Sequence, residues 1–283
     1  MDTDKLKNIS EIIRKFEKNE LDYQRIHEII DGISDINSLY LDDNLLKIVC
    51  SGIYNHNFSQ FELEHRKQLI DIVLKKGIDK NFKFGRYSAP LLFYVENKNI
   101  FEYLCNVGFD PNERLTISGY EGRPYFSLHH DFHIDIFQIA QKYGFDKSEM
   151  TKDNDEIVHL IFNRFIEFDP EILSKIGLEF KETINIPSNL GLSCFQLYVL
   201  QSDVSKFTID NLKTLISTGF DKNYITQKEI AVSEYSFPKG SSSLDIFNAK
   251  CLNYNFDKEI VKEIESILSP NNRKEQKKKW WKF

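Results

Sequence analysis

Glycine and proline are scarce in this 283-residue chain, at 12 and 7, and only four cysteines, two methionines and two tryptophans occur. So few glycines and prolines exclude collagen-like, Gly/Ser-linker and Pro-rich architectures, and argue against a turn-dense all-β chain. The cysteines, Cys50, Cys105, Cys194 and Cys251, are widely scattered with no CxxC spacing. They read as small buried apolar residues in a reducing compartment rather than as zinc ligands or disulfides. Apolar runs are short, as at residues 91–95, far below the roughly 20 residues that span a bilayer. The opening MDTDKLKNIS has no basic stretch followed by an apolar one, so no signal peptide is expected. The expectation is a soluble protein, cytoplasmic in its own or a host cell. Motifs of nucleotide binding, dinucleotide binding, serine hydrolysis and zinc proteolysis (GxxxxGK[ST], GxGxxG, GxSxG, HExxH) are all missing, and with them the signals that would predict an enzyme or a cofactor.

What is abundant is aromatic and charged. There are 23 Phe and 13 Tyr, with 41% hydrophobic and 28% charged residues, enough apolar matter for a buried core. The net charge of −6 is an average over two unlike parts. Residues 271–283 carry six cations against Glu275, a charge of +5, which leaves −11 on residues 1–270. An acidic body gives no general attraction to nucleic acid.

Two amphipathic helices open the chain. Ile9, Ile12, Ile13 and Phe16, and then Ile26, Ile29, Ile30 and Ile33, each form one apolar stripe at helical spacing, which predicts a helical hairpin over residues 1–40. A recurring phrase follows. IDIVLKKGIDKN, FEYLCNVGFDPN, FQIAQKYGFDKS, EILSKIGLEF and LKTLISTGFDKN each run a helical pattern into a glycine, then an apolar residue and an acid. The glycines are Gly77, Gly108, Gly144, Gly177 and Gly219, spaced 31, 36, 33 and 42. Glycine just past a helix takes the left-handed conformation that closes the last turn without steric penalty. A shorter helical segment precedes each stop, at residues 43–52, 88–92, 123–126, 155–163 and 192–200, and a sixth at 243–250 begins a last unit that lacks the glycine. The predicted unit is helix, tight turn, helix, glycine stop and an irregular excursion.

This period and content resemble the ankyrin repeat, most clearly over residues 88–112, SAPLLFYVENKNIFEYLCNVGFDPN. The resemblance covers residues 41–269 as about six divergent units and implies an all-α helical solenoid, with residues 1–40 as cap and 270–283 as a basic aromatic tail. It also implies non-catalytic protein binding through a concave face lined by loops. Stacked units complete one another's core, so Phe93, Phe101, Phe126, Phe137, Phe162, Phe195 and Phe247 are expected inside.

The excursions are then the candidate surface. Large rings and guanidinium groups there suit a partner's pocket: Arg86 and Tyr87, Arg114, Tyr120 and Arg123, and Tyr224, Tyr235 and Phe237. Phe82 and Phe84 alternate as a small strand would and can pack back. Residues 223–243 form the longest irregular piece, a candidate insertion. In the tail, Lys277, Lys278, Lys279, Trp280, Trp281 and Lys282 suit an anionic membrane surface or a nucleic-acid strand, or the protein's own acidic body. His129, His130, Asp131 and His133 straddle a predicted turn, which does not fix a metal geometry, and His27 with Asp31 is an ordinary helical pair. The expected partner is another protein with a basic patch, such as a nuclease, bound in an inhibitor, adaptor or antagonist role with immunity or anti-defence as the specific form. The competing readings are an effector enzyme with its site around His129 and His133, and tethering through the tail.

Overall fold

The computed structural model describes residues 2–15, 18–50, 58–85, 88–116, 134–146, 157–164, 169–232, 234–252 and 256–270, with the side chains of residues 157, 163 and 164 set aside. The chain divides into two compact units, residues 1–147 and 148–283. The first holds α1 (Asp2–Ile13), α2 (Glu20–Asp31), α3 (Leu45–Cys50), α4 (Gln60–Lys75), a short 3₁₀ helix (Leu91–Tyr94), α5 (Lys98–Asn106) and α6 (Ile134–Lys142). The second holds α7 (Ile157–Arg164), α8 (Pro170–Glu179), α9 (Cys194–Gln201), α10 (Lys206–Ser217), α11 (Ser243–Cys251) and α12 (Lys258–Leu268), with a hairpin of β1 (Ile230–Val232) and β2 (Tyr235–Phe237).

Within each unit, helices stack on their counterparts in neighbouring repeats. Within the first unit α1 packs on α3, while α2, α4, α5 and α6 touch in succession; within the second, α7, α9 and α11 make one row and α8, α10 and α12 another. That arrangement is the all-α helical repeat the sequence period predicts. Helix α9 is enclosed on every side. Seven of the eight residues of α9, from Cys194 to Leu200, are buried, as expected for a helix with neighbours all round. Phe93, Phe101, Phe137, Phe162, Phe195 and Phe247 are core; Phe126 lies outside the described residues, as does Phe16.

Local chemistry sets the helix ends. Asn19, Ser59, Asn97, Asp169, Ser193, Ser205, Ser242 and Asp257 each accept a backbone N–H of the first turn, satisfying donors that have no helical partner. At the other ends Gly77, Gly108, Gly144 and Gly219 have φ of 84°, 94°, 90° and 101°. The residue after each glycine reaches back over the turn: Phe109 N–H donates to Leu104 O at 3.0 Å, Phe145 to Ala140 O at 3.0 Å and Phe220 to Leu215 O at 3.1 Å. This is a Schellman closure, whose outer residue packs apolar against the last turn. Ile78, Phe109, Phe145 and Phe220 are accordingly buried.

The acid and asparagine that follow have separate tasks. Asp79, Asp110 and Asp221 each accept the N–H two residues on, at 2.8–2.9 Å, which fixes the turn. Asn112 then donates from Nδ2 to Gly144 O at 3.0 Å and accepts Asp146 N–H at 3.4 Å. Asn185 makes the same pair with Gly219 O, at 2.9 Å, and Asp221 N–H, at 2.8 Å. Each asparagine thus clamps its own turn to the next one. The lysine between acid and asparagine donates to the C-terminal carbonyls of the next helix, Lys80 to Val107 O at 3.1 Å and Lys222 to Ile267 O at 2.8 Å.

Gly177 departs from the expectation. It lies inside α8, is buried and has no positive φ. A Cβ there would meet Thr218 Cβ at 2.8 Å and Phe220 Cε2 at 3.2 Å, so the residue is small to let α8 approach the end of α10. Asn185 shows where the stop belongs. It matches Asn112, which follows Gly108 by four, so the equivalent position is Lys181, and the stops fall 37 and 38 residues from their neighbours Gly144 and Gly219.

Candidate partner-binding site

The excursions begin with residues 39–43. Tyr40 and Asp43 exchange backbone hydrogen bonds at 2.9 and 3.0 Å, so only Leu41 and Asp42 turn the chain. Both are left-handed, at φ 52° and 63°. A two-residue turn of this hand is normally made by Asn-Gly, because a side chain there costs about 1–2 kcal/mol. Leu41 is 70% exposed and Asp42 is exposed too. At the turn's base Lys47 reaches Asp43 at 2.6 Å and lies 4.0 Å over the Tyr94 ring.

The next excursion closes in the same manner. Phe84 and Ala89 form an antiparallel bridge, with Gly85 and Ser88 at φ 60° and 43°. Tyr94 hydroxyl donates to Phe84 O at 2.8 Å, and a Cβ on Gly85 would stand 2.6 Å from that hydroxyl. Phe84 is buried and Phe82 packs on it, ring centroids 4.9 Å apart, so these rings turn inward. Arg86 and Tyr87, between Gly85 and Ser88, lie outside the described residues. So do Tyr120 and Arg123, the histidines His129, His130 and His133 with Asp131, and the tail residues Lys277, Lys278, Lys279, Trp280, Trp281 and Lys282. Arg114 is described and half-buried; burial lowers its pKa from the ordinary guanidinium value. Beside it Lys83 pairs with Glu113.

In the second unit the long piece 223–243 is an ordered hairpin, Ile230 opposite Phe237 and Val232 opposite Tyr235. Thr226 pins its base: its N–H donates to Ser241 O at 3.0 Å and its hydroxyl to Pro238 O at 3.0 Å. Gln196 of α9, wholly buried, donates to Tyr224 O at 3.1 Å. The preceding loop docks on the hairpin, with Tyr224 hydroxyl donating to Gly191 O at 3.3 Å and Lys228 to Asn189 O at 3.0 Å. Phe237 is 2% exposed, which corrects its assignment to the exposed surface. The hairpin register turns it, with Ile230, onto the core. Tyr235 stacks on it at 6.0 Å and is half-buried, and Tyr224 is half-buried also. The exposed apolar side chains here are instead Ile186, Leu190 and Ile225. Aromatic and arginine content did not point to these aliphatic residues, or to Leu41; their signal is position in a turn, visible only once strand pairing is known.

The outer helices spend their polar side chains on each other. Tyr103 hydroxyl donates to Asp71 at 2.5 Å, Tyr143 hydroxyl to Asn106 at 2.7 Å, Lys142 pairs with Glu102 at 2.5 Å and Lys213 with Glu263 at 3.0 Å. None of the four cysteines is in a disulfide, and burial pushes the Cys50 and Cys105 thiols up to about 12, which suppresses the nucleophilic thiolate. Among the described residues no group of three His, Cys, Asp or Glu could hold a metal ion, and no helix is long and apolar enough to cross a membrane.

No protein-family model and no curated protein matches the chain. Solved structures do resemble it. The human ASB11 ankyrin repeat domain is 10% identical with TM-score 0.49, covering 89% of this chain and 98% of its own. An ankyrin repeat domain from Acinetobacter baumannii AYE is 11% identical at TM-score 0.34, covering 95% and 97%. One chain of a structure of the predatory endopeptidase Bd0816 from Bdellovibrio bacteriovorus in complex with immunity protein Bd3460 is 12% identical at TM-score 0.35, covering 87% of this chain and 92% of its own. At these distances the ankyrin-like repeat fold rests on the chain's own geometry: stacked helix rows, left-handed glycine stops and asparagine clamps.

Proposed function

We propose that the chain is a non-catalytic protein-binding module that acts in the cytoplasm as an inhibitor, adaptor or antagonist. It engages its partner through the excursion turns. The observation that carries this reading is Leu41, an aliphatic side chain 70% exposed on a turn whose left-handed backbone disfavours any side chain. Strain of this kind persists where a displayed side chain is needed. Leu190 and Ile225 offer a comparable surface in the second unit, while the outer helices are occupied by their own ion pairs. The charge of −11 on residues 1–270 favours a partner with a basic patch, because opposite potentials raise the association rate. A nuclease held in check by an immunity or anti-defence protein is one such partner.

Capture from the native cell tests the reading. Leu41→Asn with Asp42→Gly gives the turn its preferred residues and removes the displayed side chain. The expected result is a more stable protein that captures less of the same partner. Equal capture by both forms would remove this turn from the interface, and recovery of no stoichiometric partner by the unaltered chain would end the proposal.

A further inference from the structure

Two turns of the first unit lead to one side chain. Tyr40 and Asp43 close the first around Leu41 and Asp42, and Phe84 and Ala89 close the next excursion, where Ser88 has φ 43°. Lys47 stands on α3 among buried neighbours, Leu45, Leu46, Ile48 and Val49, and its N–H donates to Asn44 Oδ1 at 3.0 Å. Its ammonium meets the Asp43 carboxylate at 2.6 Å, with the lysine side chain 14% exposed, a charge-assisted contact that water screens poorly. The same ammonium lies 4.0 Å over the Tyr94 ring and 5.3 Å from the centre of the Phe84 ring, within the range of cation–π attraction. Tyr94 in turn donates its hydroxyl to the carbonyl of Phe84, the residue that closes the second excursion. A continuous route thus runs from the first closure through Asp43, Lys47 and Tyr94 to the second.

We propose that Lys47 is a positioning residue that couples the two turns, so that a change in one is felt in the other. Residues other than glycine at positive φ cost energy and persist only where their surroundings hold them. Leu41, Asp42 and Ser88 are such residues, and both turns are held through the same cation. The second turn is fitted closely to this route, since a Cβ on Gly85 would stand 2.6 Å from the Tyr94 hydroxyl. Movement of that ring therefore moves the turn's backbone. A partner that seats Leu41 then orders the second excursion as well, and the two present one surface. That consequence rests on the proposed reading of Leu41 as a contact; the coupling itself does not.

Amide hydrogen exchange of the full chain measures the coupling with no partner present. Leu41→Asn with Asp42→Gly relieves the first turn, and exchange at Tyr40 and Asp43 is expected to slow about tenfold. Phe84 and Ala89 donate to each other's carbonyls at 2.9 and 3.1 Å, and their amides are expected to slow about threefold in the same protein. Phe101, in α5, is expected to be unchanged. With Lys47→Met the slowing at Tyr40 and Asp43 stays, and that at Phe84 and Ala89 disappears. Lys47→Arg keeps a cation over the ring and restores it. Asp43→Asn cuts the same route at its other end and acts as Lys47→Met does, which keeps the test open if the latter folds poorly. Three results would overturn the inference: slowing confined to the first turn while Lys47 is present, slowing at Phe84 and Ala89 that survives Lys47→Met, or no rescue by Lys47→Arg. Because no partner enters the assay, failure of the proposed function would leave this result standing, and the reverse holds.

Discussion

Replacing Gly177 by alanine separates two uses of glycine. In an exposed helix this change gains about 1 kcal/mol, the difference in helix propensity. Here the new Cβ stands 2.8 Å from both Thr218 Cβ and Thr218 Oγ1, and 3.2 Å from Phe220 Cε2. Relieving such contacts in a packed interface costs about 1–3 kcal/mol. The balance runs from near zero to a loss of about 2 kcal/mol, reached against a favourable backbone term. Thr218→Gly removes both 2.8 Å contacts, and its own lost hydrogen bonds to Thr214 O and Leu215 O appear in both arms of a double-mutant cycle and cancel. Urea unfolding of the four proteins, with slopes held equal, is expected to give a coupling of about 1–3 kcal/mol. A single Gly177→Ala protein more stable than the unaltered one, or a coupling indistinguishable from zero, would refute the close-approach argument.

Other expectations are equally direct. Asn185→Ala loses a donor to Gly219 and an acceptor for Asp221, about 0.5–1.5 kcal/mol each; Asn185→Asp keeps the acceptor and is expected to lose less, by the same urea measurement. Phe237→Ala opens the core beneath the hairpin and costs about 3–5 kcal/mol, whereas Ile225→Ser leaves the midpoint in place. The Asp2 carboxylate is held well below the usual 3.8, chiefly by the Ser34 hydroxyl and then by Asp35 N–H. Its contribution to the α1–α2 hairpin is therefore complete above pH 3.8 and is lost as pH falls through the depressed value. Asp2→Asn is expected to flatten the acid limb of stability against pH, and an unchanged limb would count against the contact.

Much of the fold was legible because its punctuation is periodic. Four of the five glycines named from spacing do close helices, since a left-handed residue at a fixed offset from an apolar stripe leaves a readable mark. Gly177 misled because glycine also serves where two backbones come close, and a sequence does not say which purpose applies. Asn185 carried the true register, yet the acid's position two residues before it holds Thr183, which hid the phrase. The surface was less legible. Tyr235 and Phe237 share one face of β2, and Phe237 is the more buried because it stands at the base of the hairpin opposite Ile230 while Tyr235 stands next to the turn. Leu41 had no compositional signal at all.

The asparagine clamp has a bearing on how such a chain tolerates change. Each clamp joins one turn to the next, so an insertion within the turn would uncouple two hydrogen bonds and shift a helix cap. The rest of each excursion, beyond the clamp, carries no such constraint. Stops now fall 31, 36, 37 and 38 residues apart, and the difference is taken up by excursions of unequal length, up to the ordered hairpin of β1 and β2. Doubling a loop adds only about 0.6 kcal/mol of closure entropy. Length changes are thus cheap in the excursion beyond each clamp and costly within the clamped turn.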